Sequence, residues 1–140
     1  MTDSRQDQIW NRACLESGGA SPGVGDQALA SLLLAHGLAM NGGVVHALEC
    51  LSGSELSAAI AGFNYFGLSA PSHVFQQAAD DSEDTEERFN QMYWAAIPSE
   101  ETIAHAFRIK SLHQRHSHPY SAVRVSNYSS KRTRENPRAA

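Results

Sequence analysis

The chain has 140 residues, 41% of them apolar and 19% charged, the length and make-up of one globular domain with its own core. No apolar run reaches the roughly 20 residues that span a bilayer, and Met1 to Arg12 read as neither signal peptide nor anchor, so the expected compartment is the cytoplasm. The net charge of −4 conceals a sorted distribution: residues 1–107 carry 14 acidic and 3 basic side chains, residues 108–140 carry 8 basic and 1 acidic. A body at −11 repels nucleic-acid phosphates and suits a basic protein surface.

The predicted elements are helices throughout. The first covers about Gln6 to Glu16, with Ile9, Trp10 and Ala13 inward, and Gly18 to Gly25 is a glycine-rich connector. Gly25 to Met40 places Leu29, Leu32, Leu33, His36, Gly37 and Met40 at helical spacing, which predicts a central helix. Asn41-Gly42-Gly43 ends it, because asparagine and glycine tolerate the left-handed conformation of a helix end. A short helix over Val44 to Leu51 follows. Ser52 and Glu55 have the spacing of a capping box, and the helix they open sets Leu56, Ala59, Ile60 and Phe63 on one face before Gly67 stops it.

Ser69-Ala70-Pro71 opens a helix to about Ala79, with Val74, Phe75 and Ala78 as core contacts. Ser82 caps the next, where Glu83, Asp84, Glu86 and Glu87 sit at the positive end of the dipole and Phe89, Met92, Tyr93 and Ala96 form the apolar stripe. Pro98 ends that helix. Ser99 caps a last one, with Glu100 and Glu101 in its first turn and Arg108, Lys110 and Arg115 toward its end. The fold class is therefore an all-α bundle of about seven short helices, residues 1–120, followed by a basic tail, residues 121–140, too poor in apolar side chains to order itself.

Little in the chain points to catalysis. GxSxG, a P-loop and a GxGxxG after a strand are all absent, so the chain reads as no enzyme. Cys14 and Cys50 lack CxxC spacing and are expected to be buried thiols without a redox role. His36 interrupts an apolar stripe, which predicts a hydrogen-bonded core histidine, whereas His46 and His73 read as surface residues. His113, His116 and His118 are the densest set of metal donors and support an alternative reading as a metal-dependent enzyme. Neither HExxH nor a partner cysteine pair accompanies them, and cationic residues commonly collect at helix C-termini, so no metal and no cofactor are expected. The acidic run from Asp80 to Glu87 lacks the DxDxDG spacing of a calcium loop. Lys131, Arg132, Arg134 and Arg138, with Tyr128, could touch phosphates, but four charges without a platform give weak binding. The tail reads instead as a solubilising segment or one that folds back on the body.

The order of these elements resembles the DNA-mimic-protein (DMP-like) family of small all-α bacterial proteins. The resemblance is carried by Met40-Asn41-Gly42-Gly43-Val44-Val45-His46, Ala61-Gly62-Phe63-Asn64-Tyr65-Phe66-Gly67, Val74-Phe75-Gln76-Gln77-Ala78, Phe89-Asn90-Gln91-Met92-Tyr93 and His118-Pro119-Tyr120, spanning about residues 28 to 120. The chain departs from the family at Val44, Val45 and His46, where an aromatic and a glutamine are usual, and at Cys50-Leu51-Ser52-Gly53. The resemblance implies an acidic, non-enzymatic protein that imitates DNA to engage a DNA-binding protein.

The charge distribution gives the same expectation, a protein that occupies the basic, nucleic-acid-binding surface of another protein as a DNA mimic, inhibitor or immunity-type protein would. Asp80, Asp81, Glu83, Asp84, Glu86, Glu87, Glu100 and Glu101 are the expected partner-binding residues, and Asn41, Gly42 and Gly43 a structural turn. The expected partner is a basic protein, a nucleic-acid-binding protein or toxin, with no direct nucleic acid and no membrane. A helical scaffold that pairs with a second copy through apolar helix faces is the remaining alternative.

Overall fold

The computed structural model describes residues 4–77 and 82–113. Among them are seven α-helices and no strand: α1 (Arg5–Glu16), α2 (Val24–Gly42), α3 (Val44–Cys50), α4 (Gly53–Tyr65), α5 (Ser69–Phe75), α6 (Glu83–Ala96) and α7 (Glu100–His113). The all-α expectation holds. Three helix starts have serine caps: Ser4 with Asp7 and Ser52 with Glu55 form reciprocal capping boxes, and the Ser82 hydroxyl accepts the Thr85 N–H. Each satisfies backbone donors that a first turn leaves without partners.

The core forms around α2, against which α1, α3 and α4 pack. Its buried face is Ala28, Leu29, Leu32, Ala35, His36 and Ala39, while Gly37 is exposed and Met40 is 58% exposed. The predicted stripe therefore rotates toward the alanines. Small side chains let two helices approach closely on either side, and a pattern drawn from large apolar residues misses them. The closest approach is at Gly62 of α4, where a Cβ would lie 2.4 Å from the Ala28 carbonyl oxygen.

An aromatic cluster fills the space between α4, α5 and α6. Phe63 and Phe75 stack at 5.7 Å, and the Tyr93 ring meets Phe75 edge-on at 5.7 Å. Phe107 lies against Trp10 and Phe66 at 5.6 and 6.2 Å, which seats α7 on α1 and α4. Such contacts add to the transfer free energy of the buried rings.

The loop between α1 and α2 is held by a contact that spacing alone does not reveal. The Asp26 carboxylate, fully buried, accepts from Arg12 at 3.2 Å and from the Gly23 N–H at 2.9 Å. Ser17, Gly18 and Gly19 turn the chain through positive φ angles of 51°, 95° and 97°.

Two further expectations need correction. α5 ends at Phe75, short of the predicted Ala79, and Ala78 lies outside the described residues. Cys14 and Cys50 are exposed, not buried. Cys14 follows the inward Ala13 and so falls on the outer side of α1, and Cys50 closes α3 beside the His46 ring, 3.6 Å away. The tail, 121–140, and Arg115 lie outside the described residues.

Candidate functional site

Helix α6 positions the acidic run. Thr85, Phe89 and Tyr93, spaced i, i+4, i+8, face the core, so Glu83, Asp84, Glu86 and Glu87 must face outward. With Asn90, Gln91 and Trp94 these four line a shallow groove of about 570 Å³. Trp94 remains 37% exposed at its far end. None of the four carboxylates is ion-paired with another described residue, although Glu87 accepts a hydrogen bond from the Gln91 amide at 3.2 Å. Arg88, the basic residue within the run, has its guanidinium over the Phe89 ring, 5.5 Å from the centroid. The carboxylates thus concentrate negative potential at the helix end that favours it.

The Asn41-Gly42-Gly43 turn is clamped beside this groove. Gly42 is still helical, and the turn conformation belongs to Gly43, whose φ is 95°. The Asn90 side chain caps the following helix by accepting the Val44 N–H at 2.9 Å. A Cβ on Gly43 would lie 3.0 Å from that same carbonyl oxygen. Asn90 is the residue that links turn and acidic groove, and sequence spacing gives no sign of its partner 46 positions away.

The other predicted partner-binding residues lie elsewhere. Glu100 and Glu101 begin α7, which follows the C-terminus of α6, a 14-residue helix roughly 20 Å long with Glu83 at its other end. Glu101 is ion-paired with Arg108. Glu100 borders a second groove, along α2. Asp80 and Asp81 precede Ser82 in the chain and lie outside the described residues, as do His116 and His118. His113 ends α7 with Nδ1 2.8 Å from the Ile109 carbonyl oxygen, which requires Nδ1 to carry the proton. Among the described residues no three His, Cys, Asp or Glu side chains converge on a metal position, and no helix is long and apolar enough to cross a membrane.

The groove along α2, about 670 Å³, contains the buried histidine the sequence singles out. His36 Nδ1 lies 2.7 Å from the Tyr93 hydroxyl. Burial lowers the His36 pKa from its ordinary 6.5, an effect the Glu100 carboxylate partly offsets, and burial holds the Tyr93 hydroxyl well above its usual range. Cys14 lines the same groove. Desolvation by the groove wall, and then Glu100, raise its pKa, so at neutral pH it is a thiol and no activated nucleophile.

No family model matches the chain, and neither does any curated protein or solved structure among those compared.

Proposed function

We propose that the protein is a non-enzymatic acidic binding protein that occupies the basic, nucleic-acid-binding surface of a protein partner, as a DNA mimic or an inhibitor does. The observation that carries this reading is the α6 face: four exposed carboxylates without ion-pair partners among the described residues, next to a half-exposed tryptophan. Side chains one helical turn apart stand about 5–6 Å from each other, a charge density of the order found along one DNA strand. Such a row steers a cationic partner by long-range attraction, and Trp94 supplies the flat apolar contact that anchors an interface after encounter. The DMP-like motifs agree with this reading, and the Asn41-Gly42-Gly43 turn they share abuts the groove through Asn90.

A DNA mimic and DNA exclude each other from one surface. The test is to recover a basic partner from the native host, form its complex with this protein, and titrate in duplex DNA. Mutually exclusive binding supports the mimic. A stable ternary complex of partner, DNA and this protein would refute it.

A further inference from the structure

His36 lines the α2 groove, and its contact with Tyr93 decides which ring nitrogen can offer a proton there. Tyr93 is fully buried, and His36 Nδ1 is the hydrogen-bond partner of its hydroxyl among the described residues. Were Nδ1 the donor, the tyrosine proton would be enclosed without an acceptor, a costly arrangement. The hydroxyl therefore donates, Nδ1 accepts, and the neutral imidazole carries its proton on Nε2. His36 is only 4% exposed, yet it lines the groove, and Nε2 makes no hydrogen bond with a described residue while not being sealed off from solvent. It is a buried N–H donor in the lining of the groove.

Around that donor the wall is mixed, with Ser17, Gln27, Ser31 and Asn41 set among apolar side chains. Ala30, Leu34 and Leu38 lie along the groove, and Gly37 leaves open space above the helix, with no atom within 4 Å of where its Cβ would be. Glu55 and Glu100 also border it, so an anionic ligand is repelled. The volume, about 670 Å³, lies within the range of small-molecule sites.

We propose that this groove binds an uncharged apolar molecule bearing a carbonyl, such as an acyl amide or ester, whose oxygen accepts from His36 Nε2–H while its alkyl part lies on Leu34 and Leu38. Cys14 takes no covalent part, and the site is independent of the α6 face. The test uses the full chain with ¹⁵N-labelled histidine, octanamide as the neutral probe and octanoate as the anionic one. In the free protein, long-range ¹H–¹⁵N spectra should show His36 as the Nε2–H tautomer. Octanamide should shift the Nε2 resonance saturably, octanoate should bind at least about tenfold more weakly, and Gly37→Leu should weaken octanamide binding by about tenfold or more with the His36–Tyr93 signals preserved. An Nδ1–H tautomer, an Nε2 resonance indifferent to octanamide, equal binding of octanoate, or unchanged affinity in Gly37→Leu would each overturn the proposal. None of these results bears on the acidic face.

Discussion

The Tyr93 hydroxyl, 2.7 Å from His36 Nδ1, joins α6 to α2 by a polar contact inside the core. Tyr93→Phe keeps the ring packing against Phe63 and Phe75 but leaves Nδ1 without its donor. The expected loss is about 1–3 kcal/mol, measured by chemical denaturation. A variant as stable as the parent would show that the contact contributes nothing net.

The same histidine gives stability a pH dependence of defined sign. Its folded pKa is depressed below the ordinary 6.5, so between the two values the unfolded chain binds the extra proton. Stability is then complete above about pH 6.5 and falls as the pH drops toward the folded value. The difference in unfolding free energy between the parent and His36→Gln should therefore shift in favour of the variant as the pH is lowered through this window. A difference that stays constant from pH 7.5 to pH 5 would remove His36 from the titration.

Two helical glycines should respond to alanine with opposite signs. Gly62→Ala would place a Cβ 2.4 Å from the Ala28 backbone, which cannot move aside without parting α4 from α2, whereas Gly37→Ala meets nothing. Thermal melts should show Gly37→Ala stabilised by about 0.5–1 kcal/mol and Gly62→Ala destabilised by more than that. Equal effects at the two positions would contradict the packing described for α2 and α4.

Gly43 and Asn90 form one device. Gly43→Ala strains a residue at φ 95° and crowds the Asn90 side chain, and Asn90→Ala removes the cap on Val44. Each should cost about 1 kcal/mol or more, and the double variant less than the two costs combined, because both act on one contact. Strict additivity would mean that the turn and α6 are not coupled.

The parts of this molecule legible in its sequence are those written locally. Capping boxes, apolar stripes and turn glycines concern residues within a few positions of one another, and helices α1 to α4 follow from them with ends shifted by a residue or two. His36 as a hydrogen-bonded core residue was legible for the same reason, since a polar side chain in an apolar stripe needs a partner. The identity of that partner, 57 positions away, was not. Nor were Asn90 on the Gly43 turn and Arg12 on Asp26, because each pairing is decided by how helices cross. The acidic set was legible as residue types, but its division between the α6 groove and the start of α7 follows from α6 standing between the two groups.

The central claim, that the α6 carboxylates engage a basic partner, is tested most directly by association kinetics. The variant Glu83→Lys, Asp84→Lys, Glu86→Lys, Glu87→Lys is compared with the parent against a partner purified from the native host, across a range of salt concentrations. Exposed charges act over a screening length of about 8 Å at physiological salt, so the parent should associate fast at low salt and more slowly as salt rises. The variant should associate at least about tenfold more slowly at low salt and lose most of its salt dependence, with helix content little changed. If the variant associates at the parent's rate with the same salt dependence, the α6 face is a solvated surface and the proposed function is wrong.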